Sequence, residues 1–310
     1  MLSIKQTFLM LAAFLMPVSF FAQNNNDGKS VLRDPSLSKG LAVESITDPA
    51  SLSGNLLVDT TAKPEWHLCQ PNSRFDAAKC TMETRGDNTI FNVAGNGNLL
   101  AKVVRVNPVR NVLYLECNAS AEYTGIRRDG QPWVGLWASQ SLDSLRVASC
   151  RQLALHMEYR VTFYEDCMGF LADKDVHSAV CCASLILKND NKGSDAYGKR
   201  LKVVVPMFDN RNVGLPYNGG VDKEGDMVVF RPASEKCLSS GRIPKVKQKE
   251  FVNVVLLPVV TQAVKAAAMN GYMPGAVPDD FLIEGFTVGW EMKGTFNSAV
   301  EIKNLKLIYL

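Results

Sequence analysis

The chain has 310 residues, with 34 Lys and Arg against 31 Asp and Glu, for a net charge of +3. That near-neutral balance, without a basic block, leaves no electrostatic footprint for a nucleic acid partner. Eight cysteines hold no C-x-x-C pair and only three histidines occur (His67, His156 and His177), so a structural zinc site is not expected.

The N-terminus reads as an export signal over 1–22. Lys5 supplies its positive charge, the run 8–21 is apolar and too short to span a bilayer, and Ala22 offers a small residue for cleavage before Gln23. The mature chain is then expected to be periplasmic, cell-surface or secreted, with no membrane span. Residues 23–45 (QNNNDGKSVLRDPSLSKG and beyond) are polar, broken by Gly and Pro and without a period, and read as a flexible leader. Residues 46–310 are expected to form a single domain. An exported chain permits disulfides, and Cys69–Cys80 is the candidate pair, because it closes a short loop rich in turn residues.

From residue 53 onward β-type runs recur. Runs 90–93 and 100–106 flank Gly95-Asn96-Gly97-Asn98, a hairpin signal. Further runs cover 111–117, 133–137, 153–165, 180–187, 200–205, 226–230 and 250–257, followed by a closing pair over 285–310. About eleven strands with turn-rich gaps predict an all-β antiparallel sandwich. One stretch departs from this: 259–270 is rich in helix formers and is followed by Gly271, so a short helical insertion is predicted.

The closing pair can be read in detail. Phe286, Val288, Trp290 and Met292 share one face, which predicts a structural tryptophan in the core. In the last run the apolar parity switches from Val300 and Ile302 to Leu305, Leu307 and Tyr309, which predicts a bulge at Asn304. Charge pairing of Glu291 with Lys303 and of Lys293 with Glu301 would set the register of a terminal hairpin.

Two strands hold candidate ligand-binding side chains. In LHMEYRVTFYE, residues 155–165, one face is apolar and the other carries His156, Glu158 and Arg160. Planar charged groups in a row suit the hydroxyls of a glycan, although a solvated outer face would show the same alternation. In QPWVGLW, Trp133 and Trp137 share a face about 13 Å apart, at about 3.3 Å per residue, with Gly135 between them. They either flank a shallow sugar-stacking groove or lie in the core. Trp66 stands in a turn-rich segment, as a loop-edge aromatic or as a plug for the end of the sandwich.

The segments GNLLVD…EWHL, HMEYRVTFYED and GFTVGWEMKGTFNSAVEIKNLKLIYL resemble galactose-binding-like jelly rolls, a group that includes many carbohydrate-binding modules of exported bacterial proteins. The resemblance implies a jelly-roll fold and a sugar ligand. It departs from the group's pattern at Val58-Asp59-Thr60-Thr61 and at Lys303-Asn304, positions that in the group contribute to a structural calcium site, so no cofactor is expected and the metal is left open. No hydrolase motif such as G-x-S-x-G or H-E-x-x-H occurs. The reading that follows is a non-catalytic carbohydrate-binding protein of the bacterial cell envelope, its glycan or polysaccharide held by Trp133, Trp137, His156, Glu158, Arg160 and Trp66. The alternatives are a structural or adhesive cell-envelope protein that binds another protein and, third, a glycan-active hydrolase or lyase.

Overall fold

The computed structural model describes residues 28–310, so the expected signal over 1–22 and the start of the leader lie outside the described residues. In chain order the strands are β1 (Lys29–Ser30), β2 (Leu41–Glu44), β3 (Leu52–Leu56), β4 (Trp66–Cys69), β5 (Thr81–Arg85), β6 (Asn88–Ala94), β7 (Leu100–Asn107) and β8 (Val112–Asn118). There follow β9 (Val134–Arg146), β10 (Leu153–Asp166), β11 (Ser178–Asn189), β12 (Arg200–Asp209), β13 (Gly220–Glu224), β14 (Met227–Arg231), β15 (Lys249–Val255), β16 (Phe281–Lys293) and β17 (Phe296–Tyr309). The first sheet runs β15-β10-β17-β8-β7-β6-β5, with β1 added to β17, and the second runs β13-β14-β12-β11-β16-β9-β4-β2-β3. Only β2/β4 and β12/β14 pair in parallel. The fold is the all-β jelly-roll sandwich that the strand pattern predicted.

Period-two alternation explains the core. Leu155, Met157, Tyr159 and Val161 of β10 face Ala179, Cys181, Ala183 and Leu185 of β11 and Phe286, Val288, Trp290 and Met292 of β16 across one continuous apolar layer. Trp290 is fully buried, which stabilises the fold by on the order of 5 kcal/mol. Its Nε1 donates to the Leu115 carbonyl at 3.1 Å, and the Tyr159 hydroxyl donates to the Met207 carbonyl at 2.7 Å, so both side chains bond one sheet to the other.

The terminal hairpin does not form. β16 pairs with β11 and β9, whereas β17 pairs with β10 and β8, so the last two strands lie in different sheets and face each other across the core. Gly294-Thr295 carries the chain between them, and a Cβ on Gly294 would fall 2.7 Å from the Phe296 ring. Each strand finds partners on both edges within its own sheet, which outweighs two surface charge pairs. The predicted bulge is present: Asn304 has φ +52°, and the β10–β17 register steps between His156↔Lys306 and Glu158↔Lys303.

The insertion is α2 (Leu256–Met269), after the short α1 (Ala119–Glu122). It starts three residues earlier than predicted, with Pro258 in the first turn, where its missing N–H costs nothing. Asn270 ends it and Gly271 adopts φ +72°. Val260, Ala263, Val264 and Ala267 form its buried face.

Two further expectations are corrected. Residues 28–45, read as part of a flexible leader, are folded: β1 extends the first sheet, β2 lies between β3 and β4, and Leu32, Leu37, Leu41 and Val43 are buried. The Asp34 carboxylate accepts from the backbone N–H groups of Ser38 and Lys39, both at 2.9 Å, so the polar residues here build a turn. Cys69 and Cys80 are both free thiols. Cys69 ends β4 in the second sheet, while Cys80 leads into β5 in the first, so the loop between them crosses the sandwich.

Candidate functional site

The predicted ligand-binding residues do not assemble. His156, Glu158 and Arg160 lie on the outer face of the first sheet. There Glu158 pairs with Lys249 at 2.9 Å, Arg160 with Glu301 at 3.3 Å, and His156 stands between Asn253 and Lys306 in register. Trp133 and Trp137 lie on the outer face of the second sheet, with Val134 and Leu136 turned into the core. The whole thickness of the sandwich separates the two groups. Trp66 is fully buried, with its Nε1 donating to the Asp34 carbonyl at 2.9 Å and its ring edge-on to Phe286, so it touches no ligand.

The two outer tryptophans also differ from the expected groove. Their ring centroids are 6.0 Å apart, because the Trp137 ring folds back over Gly135 onto Trp133. A Cβ at Gly135 would fall 2.2 Å from that ring, so glycine makes the close approach possible. The result is one half-buried aromatic platform, with the Lys293 ammonium 5.7 Å from the Trp133 ring.

Beside this platform a cleft runs over the outer face of the second sheet. It comprises two adjoining hollows of about 270 and 190 Å³ that share Cys182, Lys202 and Glu291. Alternation places these side chains: Glu291 is one residue from buried Trp290 on β16, Cys182 one from buried Cys181 on β11, and Lys202 between buried Leu201 and Val203 on β12. Val180, Cys182, Val204 and Val229 form a small apolar floor. Trp137 borders one end of the cleft and Tyr217 the other, while Asp222 and Glu224 of β13 and Arg231 of β14 form a wall.

The cleft is dense in paired charge. Lys202 Nζ donates to Glu291 Oε1 at 2.9 Å, with both side chains less than one-fifth exposed. Arg211 grips Asp209 with two bonds, Nε to Oδ1 at 2.8 Å and Nη2 to Oδ2 at 2.7 Å, and Arg231 pairs with Glu224. Burial by itself would lower the Lys202 pKa, but the Glu291 charge and hydrogen bond, together with the nearby Cys182 and Glu224, outweigh it and hold Lys202 above its ordinary value. The Cys182 thiol is pushed up to about 11 by burial, which makes it an inert part of the floor. Asp222 lines the same hollow with no cation partner among the described residues, its Oδ1 accepting only the neighbouring Lys223 N–H at 2.7 Å. No group of three or more His, Cys, Asp and Glu side chains is placed to hold a metal among the described residues.

Sequence reasoning missed Glu291, Lys202, Asp222 and Glu224 as a group. The alternation around Trp290 does place Glu291 on the outer face; nothing local to it indicates that Lys202, 89 residues away, arrives on the same face.

No protein-family model and no curated protein sequence matches the chain. Among solved structures it is similar to a thermostable variant of the Cel12A cellulase of Rhodothermus marinus, with TM-score 0.42 and 10% identity over 74% of this chain and 98% of that one. It is also similar to a family 12 xyloglucanase from Bacillus licheniformis (TM-score 0.42, 9% identity, 77% and 99% covered). A third is the xyloglucanase domain of NopAA from Sinorhizobium fredii (0.40, 9%, 76% and 98%). These three are a cellulase and two xyloglucanases, and none is a galactose-binding-like module. The expectation of a non-catalytic protein that holds its glycan in one groove of these residues is corrected by the geometry: His156, Glu158 and Arg160 lie on one outer face of the sandwich, Trp133 and Trp137 on the other, and Trp66 in the core.

Proposed function

We propose that the chain is a glycan-active hydrolase, exported by its N-terminal apolar run, with its active site in the cleft on the second sheet. The observation that carries this reading is the carboxylate set of that cleft: Glu291 ion-paired on the floor, and Asp222 without a cation partner in the same hollow, next to a tryptophan platform. Glycoside hydrolysis needs two carboxyl groups in unlike environments flanking the bond.

Lys202 holds Glu291 as a fixed carboxylate, suited to attack the anomeric carbon or to take a proton from the attacking water. Asp222, on the β13 wall of the same hollow, is assigned as the donor of a proton to the glycosidic oxygen as its bond to the anomeric carbon breaks. Glu224, tied to Arg231, shapes the wall.

Release of reducing ends from β-glucan, xyloglucan, xylan and mannan tests the assignment. Glu291→Gln is expected to lower kcat by at least about 100-fold with an unchanged melting temperature. Asp222→Asn is expected to lose turnover of natural glycans by a similar factor and to keep it on an aryl glycoside whose phenol leaves without a proton. Undiminished turnover by Glu291→Gln, or no cleavage of any glycan by the wild type, would overturn the reading.

A further inference from the structure

A third and larger hollow, of about 770 Å³, adjoins the cleft. It shares Glu224 with the hollow that holds Glu291 and Asp222, and Met227 with the hollow beside Trp137. Its walls come from three parts of the chain: the β11–β12 connection brings Tyr197, the β13–β14 edge brings Lys223 and Asp226, and the turn after α2 brings Tyr272. Lys199 Nζ donates to the Tyr272 carbonyl at 3.2 Å and so ties the first wall to the third.

Neither tyrosine hydroxyl has a structural duty, although the Tyr272 ring packs against the core. Tyr197 is 49% exposed, and its hydroxyl bonds to no group among the described residues; Tyr272 is half-buried with a hydroxyl equally unengaged. An aromatic ring left in water with a free hydroxyl at its tip offers an apolar face for a pyranose and a hydrogen bond for its rim. Three cations line the hollow, Lys199, Arg200 and Lys223, beside Glu224 and Asp226; Arg200 is paired with Glu284 and Lys199 with the Tyr272 carbonyl, so the hollow presents donors and acceptors of both signs rather than a free cation cluster that would select a uronate. A short sugar seated at Glu291 would leave this surface unused.

We propose that Tyr197 and Tyr272 form a distal binding subsite for an uncharged polysaccharide, whose chain runs from the Trp133–Trp137 platform across Glu291 and over Glu224 and Met227 to the two tyrosines. This rests on the hydrolase reading of the cleft and adds that the substrate is a long chain cut at internal bonds. The inserted helix α2 gains a role, since its C-terminal turn delivers Tyr272.

The test is titration calorimetry together with product analysis, using uncharged oligosaccharide ladders of the glucan, xylan and mannan series from disaccharide to octasaccharide. The wild type is expected to bind longer members more tightly and to release internal fragments from polymers. Tyr197→Ala is expected to bind the long members about tenfold more weakly and the disaccharide unchanged. Tyr272→Phe, which keeps the packed ring, should show the same length dependence at smaller amplitude. An equal loss at every length, or none at any length, would overturn the subsite. Length-dependent binding without cleavage would instead remove the hydrolase reading and leave the subsite standing. Absence of binding throughout the ladders overturns both.

Discussion

Asp76 shows how much one side chain organises in this fold. Its Oδ1 accepts from the Ala78 N–H at 3.0 Å, the Gln70 amide at 2.8 Å and the Ser53 hydroxyl at 2.9 Å, pinning the turn between β4 and β5. Burial pushes its pKa up, but these bonds and the nearby Lys79 charge outweigh it, so the net shift is downward. A carboxyl whose folded pKa lies below its unfolded value contributes fully above that unfolded value and loses its contribution as the pH falls through the folded one. Asp76→Ala is therefore expected to cost about 1–2 kcal/mol in urea denaturation near neutral pH, with the gap to the wild type closing below about pH 4. A cap of this kind is suggested locally by Asp76 before Ala77-Ala78-Lys79. The buried pair of Lys102 with Glu122, 1% and 3% exposed, is not suggested by anything local, since each residue reads as an ordinary surface charge in its own segment.

At the scale of the element, strand faces were legible and side-chain conformations were not. The parity of β16 correctly turned Trp290 inward, and the parity switch in β17 correctly located the bulge at Asn304, whereas the parity of β9 left open which face is buried until the structure turned Val134 and Leu136 inward. The distance between Trp133 and Trp137 was misjudged, because strand rise sets the separation of Cα atoms and leaves the rings free to fold together over a glycine. Gly135→Ala tests that arrangement. The added Cβ must displace the half-buried Trp137 ring, so the coupled tryptophan signal in near-ultraviolet circular dichroism should be lost, at a stability cost below about 1.5 kcal/mol. An unchanged spectrum would mean that the two rings are not in contact. Segment 28–45 was misread at this same scale: Leu32 and Leu37 lie in irregular backbone and follow no period, and β2, which buries Leu41 and Val43, is only four residues long, too short for alternation to stand out.

At the scale of the whole molecule, the two sheets are joined by apolar contact and by the Tyr159 and Trp290 hydrogen bonds. Tyr159→Phe and Trp290→Phe each leave a buried carbonyl without this partner, and each is expected to cost about 1–3 kcal/mol, with the tryptophan substitution also opening a cavity. Thermal melts should show a fall of several degrees for both. A Tyr159→Phe protein as stable as the wild type would show that the Met207 carbonyl is satisfied in another way.

The amino-acid sequence by itself determined the placement of eleven of the seventeen strands among the described residues, the buried faces of β10 and β16, the helix before Gly271, the bulge at Asn304 and the structural role of Trp290. Local chemistry suffices for these, since period two, turn residues and a glycine at positive φ act within a few residues of chain. Only the tertiary structure decided which sheet each strand joins, because both sheets bury apolar faces against the same core and alternation does not encode a partner. That choice separated β16 from β17, put the expected glycan-binding residues on opposite faces, and brought Lys202, Asp222 and Glu224 from earlier strands to Glu291. The candidate site is a product of strand order, and strand order is a long-range property that no single segment carries.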